Sequence, residues 1–280
     1  MAYTQYEWQF NNSNEIDIIY AGNYGAKGEK RSKKKKATPE QIKKQNQRNR
    51  ENKMRRLIKA NFEAGDLWCT LKYPAGTRKS VDEVQDDLRK FLVKLRRSYK
   101  KIEFQLKFVY RIELGSQGGI HTHILVNRVP DADVIIQKLW THGRVNWTST
   151  YDAGGFQSLA EYIVKEPEEI EGQLSMFDTA DRGKLIKYGC SRNLVRPEPV
   201  KKTYSRRTVR KIVENGPKPK PGYYIDKNTI RIGINPYTGY SYIHYIEYKL
   251  KKLLRKGEED AGQGLYRKHA ARTAKAHRHI

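Results

Sequence analysis

The chain has 280 residues, enough for one sizeable domain or two small ones, and pairs a 37% hydrophobic content with a 31% charged fraction. Its net charge of +25 points to a polyanionic partner, with nucleic acid as the default. No segment is apolar enough to span a bilayer, no signal-peptide core opens the chain, and Cys69 and Cys190 are its only cysteines. Membrane, secreted and disulfide-framework classes are therefore set aside in favour of a reducing, cytoplasmic setting.

In chain order, residues 1–37 read as a flexible basic arm, Asn- and Tyr-rich at first and ending in Lys33, Lys34, Lys35 and Lys36, a run suited to phosphate contact. Thr38-Pro39-Glu40-Gln41 starts a helix with a hydroxyl cap, a proline at the first position and a Gln capping partner. This helix is expected to reach about Ala64, its first half too polar to pack tightly. Leu67 to Tyr73 is a strand. Ser80-Val81-Asp82-Glu83 opens a second capped helix to about Tyr99, whose buried stripe is Val81, Val84, Leu88, Phe91, Leu92 and Leu95.

Glu103 to Leu114 reads as a strand, Gly115 to Gly119 as a hairpin loop, and Ile120 to Val126 as the returning strand. Asp131 is expected to cap a short helix to Trp140 with Val134, Ile135 and Leu139 facing inward. Arg144 to Trp147 forms a short strand, 152–155 a turn, and Ser158 begins a helix that stops at Pro167. Residues 167–186 have no assignment. Tyr188 to Leu194 reads as a strand, Ser205 to Glu214 as a basic helix, and Tyr223 to Tyr248 as a β-hairpin turning at 235–239. A basic tail follows from Lys251. This order predicts an α+β fold: an antiparallel sheet of about five strands with helices packed on one face, a basic N-terminal helix and a C-terminal β-hairpin extension. The opposite, polar face would be an open floor for a polymer.

Two residues apart on a strand, His121 and His123 project to one side. Folding the hairpin about its glycine loop sets Glu113 opposite His121, where Cβ atoms lie roughly 4.5–5.5 Å apart. One carboxylate and two imidazoles then converge, a donor set suited to Mg²⁺ or Mn²⁺, with Zn²⁺ also possible. On the following helix, Tyr162 and Lys165 stand three apart, hence as neighbours. A phenol with a reference pKa of about 10 is a weak nucleophile unless a cation favours its phenolate. The lysine could also steady charge on a phosphate. Attack on phosphorus would leave a covalent aryl phosphate that retains bond energy for rejoining. Taken alone, the stripe Leu159, Tyr162, Ile163 is equally the pattern of a helix packed on a core. Some of the 19 tyrosines remain available for base stacking.

Leu67 to Tyr73, His121-Thr122-His123 and Tyr162-Ile163-Val164-Lys165 resemble, in that order, the three motifs of rolling-circle replication initiators of the His-hydrophobic-His endonuclease superfamily. Ser191-Arg192-Asn193-Leu194 also looks like bacterial and phage members. The resemblance spans about residues 38–200 and implies an endonuclease domain there, followed by a linker and hairpin over 201–250 and the tail over 251–280. Thr122 departs from the bulky apolar residue preferred at its position, although its methyl can still pack.

The resemblance implies nicking of single-stranded origin DNA, a 5′ phosphotyrosine at Tyr162, a free 3′ hydroxyl, and a divalent metal on Glu113, His121 and His123. Arg111, Arg192 and Arg196 join the lysine run as expected nucleic-acid contacts. A single matching tyrosine implies a second protomer, hence a possible homo-oligomer, or re-use of the same residue. No phosphate-loop motif Gly-x-x-x-x-Gly-Lys-Ser/Thr occurs, so a separate or host helicase and a host polymerase are the implied partners. The alternatives are a non-catalytic nucleic-acid-binding protein, a single-tyrosine transposase or relaxase of the same superfamily, and a metal-dependent hydrolase without a covalent step. Conjugative relaxases usually place the tyrosine before the histidines, whereas here it follows.

Overall fold

The computed structural model describes residues 2–22, 37–114, 119–150, 156–165, 187–235 and 239–250. The Lys33–Lys36 run, the loop tip at 115–118, the turn at 152–155, the segment 167–186 and the tail from 251 lie outside the described residues.

Tyr3–Gln9 (β1) and Ser13–Tyr20 (β2) pair as an antiparallel hairpin, which corrects the expectation of an irregular arm there. The face that β1 buries is Tyr3, Gln5 and Glu7, so its alternation is hidden from a hydrophobic pattern. The buried polar groups are partnered: the Gln5 amide donates to Glu7 (3.1 Å), and the Tyr204 hydroxyl donates to Gln5 (3.0 Å).

The first helix, Pro39–Asn61 (α1), carries the expected capping box: Gln41 N–H donates to the Thr38 hydroxyl (3.3 Å) and Thr38 N–H donates to the Gln41 side chain (3.0 Å). Only its second half buries apolar residues, Met54, Leu57 and Ile58. Leu67–Lys72 (β3) follows, then Val81–Lys101 (α2), capped reciprocally by Ser80 and Glu83.

The next strand, Phe108–Leu114 (β4), is shorter than expected. Glu103 turns the chain at a φ of 62°, and Phe104 is 48% exposed rather than part of the strand face. Ile120–Val126 (β5) returns along β4 in the expected register, with Glu113 opposite His121. In Ala132–Leu139 (α3), Asp131 sits before the helix in a left-handed conformation and makes no side-chain cap. Val134 is 60% exposed, while Ala132 and Ile136 are the residues that point inward.

Val145–Ser149 (β6), Gln157–Val164 (α4) and Lys187–Cys190 (β7) complete the first half. Val200–Tyr204 (β8) is a strand the sequence did not announce, and Arg206–Asn215 (α5) is the expected basic helix. Tyr223–Ile225 (β9), Arg231–Ile234 (β10) and Ser241–Lys249 (β11) close the described chain.

The strands form two antiparallel sheets. One has five strands in the order β6-β3-β5-β4-β7; the other has six in the order β10-β11-β2-β1-β8, with β9 also pairing β11. The C-terminal hairpin is thus one side of a sheet completed by the N-terminal hairpin, with β11 against β2. Helices α2 and α3 cover one face of the five-stranded sheet, through Leu88, Leu95, Tyr99 and Ile136 on Cys69, Ile112 and Ile124. Helices α1 and α4 cover half of the other face, packing Ile58, Phe62, Ala160 and Ile163 on Val109 and Leu125. The floor expected to be open is therefore roofed over its apolar half, which brings α4 against its polar half. No helix among the described residues is long and apolar enough to cross a membrane.

Thr122 points into the α2/α3 core, fully buried, and its hydroxyl has no hydrogen-bond partner. An unsatisfied buried hydroxyl costs about 1–3 kcal/mol, whereas a near-isosteric methyl carries no such cost. Thr122→Val is expected to raise unfolding stability by about 1–2 kcal/mol in urea titration. A loss of stability would show that the hydroxyl has a partner.

Candidate functional site

Strand pairing assembles the site. Thr70 on β3 lies opposite His123, and on the other side of β5 Arg111 and Glu113 lie opposite His123 and His121. Because alternate residues share a face, Trp68, Thr70, His121, His123, Arg111 and Glu113 all project to the side that α4 partly roofs.

The Glu113 carboxylate is the hub. Its Oε2 accepts from Arg111 Nε at 2.7 Å. Its Oε1 faces Nε2 of His121 at 3.3 Å and Nε2 of His123 at 3.2 Å, and accepts a hydrogen bond from the Tyr162 hydroxyl. Burial opposes ionisation of Glu113, but its bonds to His121, His123, Tyr162 and Arg111 outweigh burial and hold the carboxyl far below the usual carboxylate range. Tyr162 moves the other way: burial, then its bond to Glu113 and that group's charge, push the phenol well above its ordinary value.

Each imidazole is oriented from behind. Nδ1 of His121 lies 3.3 Å from the Gly119 carbonyl, and Nδ1 of His123 lies 3.0 Å from the Thr70 hydroxyl. A carbonyl can only accept, so Nδ1 of His121 carries the proton and Nε2 of the neutral ring presents a lone pair to the centre. Trp68 stacks flat on His123 (5.3 Å, 6°) and meets Tyr162 edge-on (6.0 Å, 85°), fixing both rings. One ligand atom from each of Glu113, His121 and His123 lies within 4.8 Å of the others. Two lone-pair nitrogens and a carboxylate oxygen aimed at a common point are a donor set that fits a divalent cation.

Three expected site residues stand differently from their sequence reading. Arg111 is not a surface contact for nucleic acid: it is 3% exposed, and beyond Glu113 it donates to the carbonyls of Ile163 (2.9 Å) and Lys165 (2.8 Å). It thus ties the end of α4 to the carboxylate and acts as a positioning residue. Lys165 has left the helix, which ends at Val164, so helical spacing does not set it beside Tyr162; its side chain is exposed. Arg192 and Arg196 are exposed in the segment after β7, and the lysine run lies outside the described residues. Trp68 and Thr70 were not singled out from sequence. The signal that finds them is strand pairing, since Thr70 and His123 are register partners and Trp68 is two residues away on the same face.

Residues 66–167 match a family model for replication-associated proteins of the ORF2 type. That span covers β3 to the end of α4 and contains every residue of the Glu113 cluster, and the match supports a role as a replication initiator. Comparison with curated proteins and with solved structures gives no match.

Proposed function

We propose that the protein nicks and rejoins single-stranded DNA at a replication origin, using Tyr162 as nucleophile and a divalent ion, Mg²⁺ or Mn²⁺, held by Glu113, His121 and His123. The observation that supports this most is that the Tyr162 hydroxyl and both imidazole Nε2 atoms converge on one oxygen, Glu113 Oε1. A metal-ligand cluster alone fits many proteins, whereas a phenol bonded to one of the ligand atoms places a nucleophile where a phosphate would be polarised.

When bound, the ion supplies Lewis-acid polarisation of the phosphoryl oxygens and offsets the Glu113 charge that keeps the phenol protonated. Tyr162 must give up its bond to Glu113 before its oxygen attacks phosphorus. The new phenolic O–P bond forms as the bond from phosphorus to the 3′ oxygen breaks. The phenolic proton passes to water, and the leaving oxygen takes a proton to become a 3′ hydroxyl. Arg111 keeps Glu113 aimed and α4 in place, while the exposed Lys165 is assigned to charge on the phosphate. Reversal of the same step rejoins strands, with a second protomer or the same tyrosine acting again. Cytoplasmic DNA, a separate helicase and a host polymerase complete this reading.

Incubation with a single-stranded origin oligonucleotide and Mn²⁺ is expected to give a protein–DNA adduct that survives detergent and an extendable 3′ end. Chelator should abolish both. Cleavage without an adduct would indicate a hydrolase, and binding without cleavage under any divalent ion would favour a non-catalytic DNA-binding protein.

A further inference from the structure

The six-stranded sheet presents a second surface away from the Glu113 site. On the face of β1 opposite its buried side, Tyr6 and Trp8 stand as a near-parallel pair, ring centroids 6.2 Å apart at 22°. The Arg56 guanidinium lies 3.3 Å from the Trp8 ring centroid, and the Lys201 ammonium of β8, the register partner of Tyr6, lies 5.8 Å from the Tyr6 centroid. Beside Trp8 a groove of about 390 Å³ runs between α1 and the segment after β7, walled by Asn49, Asn52, Lys53 and Arg196. Asp17 also lines it, but this carboxylate is paired with Arg56 and His244. Lys53 and Arg196 have no acidic partner among the described residues.

We infer that this groove and the Tyr6/Trp8 pair form a second binding site for single-stranded DNA, with bases stacked on the aromatic rings and phosphates held by Lys53, Arg196 and Lys201. The chemistry favours that occupant on two counts. Half-buried aromatic rings flanked by cations on a sheet face suit stacked bases without sequence preference. Amide side chains and unpaired cations along one wall suit a phosphodiester backbone, and the chain's +25 charge agrees.

Helix α1 also connects this surface to the first site. Gln47 donates to the Val164 carbonyl at 3.2 Å, at the end of the helix that carries Tyr162. Asn52 follows five residues later, about 8 Å along the helix axis. A strand held at Tyr162 can therefore continue into the groove, which would keep the cut strand on the protein between nicking and rejoining. In this respect the inference rests on the nicking reading, although binding itself does not.

The test is anisotropy of a labelled oligothymidylate with the full chain in chelator, where no nicking occurs. Trp8→Ala is expected to weaken binding roughly 5- to 150-fold, the range for loss of one stacked base. The surface double variant Lys53→Ser, Arg196→Ser is expected to reduce the slope of log affinity against log salt by about 1.4, or about 0.7 for each lost phosphate contact on a single strand. Both exposed residues are outside the core, so this variant reads the site even where Trp8→Ala disturbs folding. Unchanged affinity and slope in the double variant would overturn the inference, whatever Trp8→Ala does. Failure of the nicking reading is separate: it shows as no adduct with Mn²⁺ while the salt-slope effect persists.

Discussion

Tyr162→Phe is expected to lower formation of the covalent DNA adduct by on the order of 10⁴-fold or more, since the only atom removed is the proposed attacking oxygen. The same variant should bind Mn²⁺ at least as tightly as the natural protein. In the wild-type site the hydroxyl donates to Glu113 Oε1, the oxygen that also faces both imidazoles, so phenol and cation compete for one acceptor. Removing the hydroxyl removes the competitor, while Arg111 still holds Oε2.

Glu113→Gln should do the reverse. Its amide cannot supply the same anionic ligand, so Mn²⁺ affinity falls along with adduct formation. Calorimetric titration of Mn²⁺ into the two variants, run beside the adduct assay, separates loss of the nucleophile from loss of the ligand set. An adduct that persists in Tyr162→Phe would place the nucleophile on another of the 19 tyrosines. Weaker metal binding in the same variant would mean that the phenol itself contributes a ligand.

The parts of this site that the sequence disclosed are those governed by short-range rules. A glycine-rich loop between two apolar strands sets the β4–β5 register, and that register alone brings Glu113 to His121. Both capping boxes likewise lie within four residues. What could not be read depends on distant partners. Arg111 looked like a DNA contact because a lone arginine on a site strand carries no mark of the carbonyls at 163 and 165 that bury it. The N-terminal hairpin looked irregular because the alternation of β1 is Tyr, Gln, Glu, and these polar groups become buriable only when Tyr204 and Lys220, some two hundred residues away, supply partners. Strand β8, Val-Lys-Lys-Thr-Tyr, is largely exposed and polar, and it exists because β1 offers it an edge. The same distance effect hid the Trp8 surface, whose cations come from α1, β8 and the segment after β7.

Glu15→Ala is expected to cost about 3–5 kcal/mol of folding stability, the range for removing one partner from a buried ionic cluster. Glu15 is fully buried and accepts from Arg55 (3.0 and 2.8 Å), Arg56 (3.0 Å) and Lys59 (3.1 Å), joining β2 to the second half of α1. Arg55 also donates to Gln157 at the start of α4, so the cluster links the second sheet to the helix that carries Tyr162. Alanine would leave these cations in a site with little water. Burial already depresses the Lys59 ammonium, which would then shed its proton more readily. The cost belongs to the broken cluster, since exchanging the whole set for apolar residues can be near neutral.

A pH profile gives an independent check. Burial pushes the Glu15 carboxyl up, but Arg55, Lys59 and Arg56 outweigh it and hold the group far below its unfolded value. A depressed carboxylate contributes stability that is present above the unfolded pKa of about 4.3 and is lost as pH falls from there toward the folded value. Denaturant midpoints should therefore drop below about pH 4.5 in the natural protein, and the acid limb should flatten in Glu15→Gln. A cost under about 1 kcal/mol in Glu15→Ala, with an unaltered acid limb in Glu15→Gln, would show that solvent reaches the cluster and that the two sheets are joined by apolar packing instead.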